Sequence, residues 1–156
     1  MAFHIVLVEP EIPPNTGNIA RTCAATETAL HLVKPLGFSI EDRQLKRAGL
    51  DYWPFVKLEI HENLDAFFQK YGDKPLYLAT TKGGRRYTDV SFEEESMILF
   101  GRETAGLPKE LIHRYQDRAI RIPMSGDTRL RSLNLANSVN IILFEALRQA
   151  GFPRLV

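Results

Sequence analysis

Six short and almost uninterrupted apolar runs constrain the fold of this chain more than any other feature of its sequence. A strand with one solvated face alternates apolar and polar residues, whereas a strand buried on both faces is apolar throughout. The runs are of the second kind, which is typical of a parallel sheet covered by helices on both sides. We predict strands at residues 3–8, 30–33, 56–60, 76–80, 97–100 and 119–122.

Helical patterns separate most of these runs, and alternating strands and helices indicate an α/β fold with a parallel sheet. The last pattern places its apolar residues on one stripe and stops at Gly151. We expect an open, mostly parallel sheet of about six strands with flanking helices. The helices are predicted at residues 17–28, 41–50, 63–71, 108–115 and about 133–150.

The segment at residues 82–95 interrupts the alternation. It contains Gly83-Gly84-Arg85-Arg86 and ends in three consecutive glutamates. A connection of this length without a helical or apolar pattern indicates a functional or mobile loop.

Length and composition limit the class of protein. A chain of 156 residues, 44% of them apolar, is expected to form one domain over residues 1–156, with no appended RNA-binding domain. The net charge of +1 gives no sign of a nucleic-acid partner, so any phosphate binding requires a local basic patch. A single cysteine excludes an internal disulfide, and we find neither a signal peptide nor an apolar run of membrane length. We therefore expect a cytoplasmic protein without a membrane partner.

Several common sites are absent from the sequence. No glycine-rich dinucleotide motif follows the first strand, and no phosphate-binding P-loop motif occurs. The four histidines lack metal-ligand spacing, so we predict packed or surface histidines and no metal. Cys23 lies on the apolar side of a predicted helix and is interpreted as a buried, inert thiol.

Three loops, each after a predicted strand, contain the candidate functional residues. Because open α/β folds bind ligands at the carboxyl ends of their strands, the loops predict one composite site. In the first loop Asn15 or Thr16 could cap the next helix, and Arg21 could project toward an anionic substrate. In the second loop, residues 101–108, Gly101 allows close approach to the backbone.

The acid of the second loop and the polar residues of the third have alternative roles. Glu103 could interact with the dipole of the helix that Pro108 opens, or hold a cationic or hydrogen-bonding group. Ser132 and Asn134 are both good helix N-caps, and capping accounts for only one of them.

Together these loops resemble, in order, spacing and residue type, the three signature motifs of the SpoU group within the SPOUT class of RNA 2′-O-methyltransferases. The phrases at residues 9–14 and 47–52 are similar to the small TrmL-type members, which modify the ribose of the tRNA wobble nucleotide. The resemblance implies the SPOUT fold, with a deep C-terminal trefoil knot that binds S-adenosyl-L-methionine in a bent shape. It also implies a homodimer, with each site near the subunit interface and the last helix as an interface element.

The resemblance assigns roles to individual residues. It implies catalytic-motif positions at Asn15, Arg21, Glu103, Ser132 and Asn134. Cofactor contacts are implied at Ala79, Gly101, Glu103, Ile122 and Ser132. The segment between Met124 and Ser132 is longer than in many relatives, which leaves open whether Arg129 or Arg131 fills the basic position before the serine.

The activity implied by the resemblance is 2′-O-methylation of the wobble nucleotide, position 34, as cytidine or modified uridine, in a tRNA anticodon stem-loop. One alternative is the same chemistry on another RNA, such as ribosomal RNA. A second alternative, from a different class, is an RNA-binding protein that has lost catalysis. The candidates for phosphate contacts are Lys46, Arg47, Lys82, Arg85, Arg86, Arg129 and Arg131.

Overall fold

A seven-stranded sheet forms the centre of the molecule. The computed structural model describes residues 2–156. All of the strand pairs are parallel, and the strand order is β3-β2-β1-β6-β4-β7-β5. The strands are β1 (His4–Val8), β2 (Ala29–Val33), β3 (Leu58–His61), β4 (Leu76–Ala79), β5 (Arg85–Arg86), β6 (Met97–Phe100) and β7 (Ala119–Arg121).

The sheet confirms all six predicted strands and adds one. The prediction at residues 56–60 starts too early, because a 3₁₀ helix at Leu50–Phe55 extends to this point and Val56 caps it. The additional strand, β5, lies in the segment predicted as a loop and pairs with β7. Its two residues are exposed arginines, so no apolar run marked it in the sequence.

Five α-helices flank the sheet. The first begins at Pro13 rather than at residue 17, since proline fits the first helical turn, where no intrahelical partner is needed for the missing N–H. Asn15 and Thr16 therefore lie inside the helix, and the prediction that either caps it is wrong; the cap is Ile12. The helices are α1 (Pro13–Ala25), α2 (Arg43–Gly49), α3 (Leu64–Tyr71), α4 (Lys109–Arg114) and α5 (Leu135–Gln149).

The two faces of the sheet bury separate apolar clusters, as the continuous runs predicted. Ile5 and Leu7 belong to the cluster that contains residues of α1 and α5. Val6 and Val8 belong to the opposite cluster, with Phe67 of α3 and Leu111 of α4. Cys23 is fully buried in the first cluster, which confirms the prediction of a buried thiol, and this burial raises the pKa of the thiol.

The topology brings the loops after β1, β6, β4 and β7 to one edge, because these four strands are neighbours and run in the same direction. The far end of α5 is joined to the segment before β6. Gln149 donates from Nε2 to the carbonyl of Val90 at 2.9 Å, and its Oε1 accepts from the N–H of Phe92 at 2.9 Å. Among residues 2–156, no helix has the length and apolar character that crossing a membrane requires.

Candidate active site

A cavity of about 520 Å³ opens at the carboxyl ends of β4, β6 and β7. This volume lies in the usual range for small-molecule sites. All five predicted cofactor-binding positions line the cavity, namely Ala79, Gly101, Glu103, Ile122 and Ser132. The convergence of the three predicted loops around one cavity is thus confirmed.

The loop after β6 folds back tightly on itself. Arg102 and Gly106 exchange both of their backbone hydrogen bonds, at 3.3 and 2.8 Å, and Gly106 has a φ of +69°. A Cβ at position 101 would lie 2.0 Å from the carbonyl carbon of Gly106 and 2.1 Å from the nitrogen of Leu107. Gly101 is therefore required by the return of its own loop, and this return gives the cavity one of its walls.

Glu103 holds the beginning of α1. Its carboxylate accepts the backbone N–H groups of Glu11 and Ile12, each at 2.9 Å, and the side-chain amide of Asn15 at 3.2 Å. A helix N-terminus attracts negative charge and presents unpaired N–H groups, so both effects favour the carboxylate here. The predicted interaction with a helix dipole involves α1 rather than the helix after Pro108, and the predicted hydrogen-bonding role is also present.

Asn134 continues this network to the third loop. Its Nδ2 donates to Oδ1 of Asn15 at 3.0 Å, across 119 positions of sequence. Its Oδ1 accepts the N–H groups of Ala136 and Asn137, at 2.9 and 3.3 Å, which makes Asn134 the N-cap of α5. Of the two residues that the sequence offered as caps, Asn134 serves as one, while Ser132 is exposed at the cavity wall.

Arg21 lies apart from the other predicted catalytic positions. It is exposed on α1 and is not among the residues that line the cavity. Its guanidinium carbon lies 5.1 Å from the centre of the Tyr52 ring, in a cation–π arrangement. Within one chain, the structure brings together Asn15, Glu103, Ser132 and Asn134, but not Arg21.

The two arginines of the third loop have different surroundings. Arg129 forms an ion pair with Asp127 at 2.7 Å and does not line the cavity. Arg131 lines the cavity and donates to the carbonyls of Ser125 and Gly126, each at 3.2 Å. Of the two arginines that the sequence left as alternatives, Arg131 is therefore the one at the cavity wall.

The remaining basic candidates are exposed at three places on the surface. Lys82 lines the cavity, whereas Lys46 and Arg47 lie on α2. Arg85 and Arg86 form β5, where Arg86 pairs with Asp89 at 3.2 Å. Exposed ion pairs of this kind contribute at most about 1 kcal/mol, so a phosphate can replace the acidic partner at little cost.

Sequence reasoning missed a second contact between the first two loops. The carboxylate of Glu11 accepts the backbone N–H and the hydroxyl of Thr104, at 3.0 and 2.8 Å. These two hydrogen bonds lower the pKa of Glu11. The position of Glu11, just after β1, was the only available signal, because residues at the ends of neighbouring parallel strands meet at the same edge.

Three histidines form a second polar cluster, on the sheet face covered by α3. The sequence did not predict that they lie together. His4 and His31 share a hydrogen bond of 2.9 Å, and His31 and His61 share one of 3.0 Å. The prediction of packed histidines is confirmed for His31 and His61, which are buried. Ring nitrogens of these two residues and a carboxylate oxygen of Glu59 lie within 4.8 Å of one another, although sequence spacing gave no sign of it. Glu59 is already bound by Lys70 and Tyr71.

Comparison with known proteins finds similar sequences and similar solved structures. The chain is 50% identical to the tRNA (cytidine(34)-2′-O)-methyltransferase of Methylovorus glucosotrophus, over 96% of this chain and 97% of the relative. A solved structure described as giving insights into the 2-OH methylation of C/U34 on tRNA superposes with a TM-score of 0.91 at 42% identity, covering 96% of this chain and 97% of that one.

A more distant structure shares the fold with a cofactor in place. The S-adenosylmethionine-bound rRNA methyltransferase of Sinorhizobium meliloti has a TM-score of 0.83 and 27% identity, over 94% of this chain and 56% of that one. The model of the SpoU rRNA Methylase family matches residues 2–144. With the family model spanning nearly all of the sequence, and with relatives this similar over their full length, the chain belongs to the SpoU rRNA Methylase family.

Proposed function

We propose that this chain transfers the methyl group of S-adenosyl-L-methionine to the ribose 2′-hydroxyl of the tRNA wobble nucleotide, a cytidine or modified uridine at position 34. The observation that supports this most directly is the convergence of the three motif loops on one cavity through the bonds of Glu103, Asn15 and Asn134. Full-length relatives named for this reaction support the choice of substrate. A tRNA substrate implies a cytoplasmic protein.

The cavity fits the chemical nature of the cofactor. S-adenosylmethionine combines an aromatic base, a ribose, a charged amino-acid part and a sulfonium that supplies the methyl group. The wall offers apolar side chains, including Leu107 and Ile122, together with the hydroxyls of Thr80 and Ser132 and the backbone at the ends of three strands. We assign Ala79, Gly101, Ile122 and Ser132 to its binding, with Glu103 holding the loop that surrounds it.

The remaining task of the protein is to align the hydroxyl and make it more nucleophilic. A guanidinium stays protonated in proteins, so Arg21 cannot serve as a general base. We assign to Arg21 the binding of the adjacent phosphate and the polarisation of the 2′-hydroxyl, whose proton leaves to the phosphate or to water. Asn15 and Asn134, fixed by their mutual hydrogen bond, form the rim of the cavity against which the ribose is placed.

Arg21 does not line the cavity of its own chain, which supports a homodimeric site in which Arg21 of one protomer serves the cavity of its partner. The outer face of α5 exposes Ile141 and Phe144, at 36% and 45% of their surface, and offers an apolar interface. Mixing equal amounts of Arg21→Ala and Glu103→Ala protomers should restore about a quarter of wild-type turnover if sites are shared, because about half of the dimers are mixed and each of these has one intact site. Two inactive populations that stay inactive when mixed would contradict the shared site.

We also propose that the chain, as one domain, contains the C-terminal trefoil knot. The order of strands supports it: after β4 the chain passes to the edge at β5, returns to the other side of β4 as β6, and then places β7 between β4 and β5. The contacts of Gln149 then hold α5 against the segment that made this excursion. Pulling the two ends apart in optical tweezers should give an unfolded contour length shorter than that of the unknotted chain.

The phosphate-binding surface is assigned to the seven basic candidates of the sequence, with Lys82 and Arg131 nearest to the cavity. Because each neutralised phosphate releases counterions, the logarithm of tRNA affinity should fall linearly with the logarithm of salt concentration. A slope near zero would contradict this surface.

The decisive test is methyl transfer from labelled S-adenosylmethionine to unmodified tRNA, followed by mass spectrometry of the product. Label on the ribose of nucleotide 34 is the expected result. Label in ribosomal RNA alone would favour the first alternative from the sequence. Binding of tRNA with no label in any RNA would favour the non-catalytic alternative.

A further inference from the structure

We propose that Tyr52 is a positioning residue, which holds the guanidinium of Arg21 in the orientation needed for the reaction. The inference rests on the proposed function and extends it to a segment, residues 43–55, that contains none of the three motifs. Its starting observation is the cation–π contact of Arg21 with Tyr52, at 5.1 Å from the guanidinium carbon to the ring centre.

Gly17 allows this segment to reach α1. A Cβ at position 17 would lie 2.5 Å from the Cβ of Ala48 and 2.5 Å from the carbonyl oxygen of Leu45. The two helices therefore touch at backbone distance. Arg21 follows Gly17 by four residues and so lies on the same side of α1, one turn further along. Close packing at Gly17 thus places the base of the Arg21 side chain beside the 43–55 segment.

A second close contact fixes the turn that presents Tyr52. A Cβ at Gly49 would lie 2.3 Å from Nε1 of Trp53, so the indole packs directly on the backbone of this glycine. The same Nε1 donates to the carbonyl of Lys46 at 3.3 Å. This contact joins α2 to the 3₁₀ helix Leu50–Phe55, in which Tyr52 is half-buried beneath Arg21.

A cation–π contact suits a catalytic arginine better than an ion pair would. The Tyr52 ring attracts the cation through its face and, unlike a carboxylate, does not neutralise its charge. Tyr52 can therefore restrict the side chain while leaving the donors available for a phosphate and a 2′-hydroxyl. An exposed arginine otherwise loses rotamer entropy when it is held in one geometry. The ring reduces this loss before the RNA arrives.

The test is a series of substitutions at position 52. Cation–π contacts at exposed sites contribute about 0.5–1 kcal/mol, which corresponds to a factor of roughly 2–5. Tyr52→Leu should lower kcat by this factor at saturating tRNA and leave the dissociation constant of S-adenosylmethionine unchanged. Tyr52→Phe, which keeps the ring, should restore most of the turnover, and Tyr52→Trp should equal or exceed it.

Phe55→Leu is the matched control, since Phe55 is an aromatic residue of the same 3₁₀ helix and is 74% exposed. A loss in Phe55→Leu equal to that in Tyr52→Leu, or wild-type kcat in Tyr52→Leu, would overturn the proposal. A second readout does not depend on turnover. The side-chain NMR signal of Arg21, assigned with Arg21→Lys, should shift when the ring is removed by Tyr52→Leu and stay close to its place in Tyr52→Phe.

The two readouts separate this proposal from the proposed function. A wild-type chain that methylates no tRNA would refute the function, and the Arg21 signal would still show whether Tyr52 holds the guanidinium. If the signal is the same in the wild type and in Tyr52→Leu, the positioning role is refuted even when tRNA is methylated.

Discussion

Two networks of side-chain hydrogen bonds lie in different parts of this molecule. The cavity network joins Glu103, Asn15 and Asn134 at the carboxyl edge of the sheet. The histidine array joins His4 and His31 to His61 across β1, β2 and β3, on the face covered by α3. Each network connects three segments that are distant in sequence.

The two networks differ in whether they leave space for a ligand. The members of the first bind helix starts and line a cavity, so the loops they fix can receive a ligand. The histidines pack against the rings of Phe67 and Tyr71. Burial, followed by the charges of His4 and His61, lowers the pKa of His31 to about 3. Shifted titration at a buried cluster can therefore reflect packing, while location at the ends of parallel strands indicates function.

The largest expected effect is on the cavity network. Glu103→Ala removes the acceptor of three hydrogen bonds and lets the first two loops separate, and misplacement by about 1 Å can cost on the order of 10²-fold in rate. We expect kcat/KM for methyl transfer to fall by about that factor. The control is Glu93→Ala, which removes an exposed acid paired with Arg118. Near-normal turnover in Glu103→Ala would contradict the role given to the network.

The next effect should appear only in stability. His31→Phe keeps a flat ring but removes both hydrogen bonds to the neighbouring histidines, which should lower the free energy of unfolding by about 1–3 kcal/mol. Binding of S-adenosylmethionine by the folded variant should be unchanged in calorimetry. His113→Phe alters an exposed histidine and serves as the control. If His31→Phe loses affinity for S-adenosylmethionine, the histidine array also supports ligand binding, which would contradict the difference between the two networks.

The pH dependence of stability gives a further test of the histidine array. The pKa values of His4, His31 and His61 are all lowered, with burial the largest cause, so the unfolded chain binds protons that the folded chain does not. The free energy of unfolding is therefore highest above the ordinary histidine pKa of 6.5 and falls as pH decreases toward about 3. Denaturant titrations between pH 7 and pH 4 should show this fall, and His31→Phe should show a shallower one. A free energy of unfolding that does not change with pH would contradict the uncharged state of these histidines in the folded chain.

The smallest effect is expected at the edge of the array. The hydroxyl of Tyr71 donates to Glu59, and burial and this hydrogen bond raise the pKa of Tyr71 to about 12. Tyr71→Phe should lower the free energy of unfolding by about 0.5–1.5 kcal/mol, because Glu59 keeps its bond to Lys70. Thermal unfolding monitored by circular dichroism measures this change. A loss above that range would mean that Tyr71 supports the array as a whole.

The features that could be predicted from the sequence are those that depend on a few neighbouring residues. The strand at residues 97–100 was predicted with its exact bounds, since four consecutive apolar residues are typical of a strand buried on both faces. The start of α1 was not predicted, because Pro13 and Pro14 are equally compatible with a loop and with a first helical turn. The motif residues were recognisable from their order and spacing, but their partners were not.

Local sequence patterns were enough to predict the class of fold, the parallel sheet and the three loops of the site, since each depends on a few neighbouring residues. Folding of the whole chain is what brings Glu103 to the start of α1, places Arg21 over the Tyr52 ring, and brings three histidines together. These contacts join residues 27 to 92 positions apart. They depend on strand order and helix approach, which the local pattern of side chains does not specify.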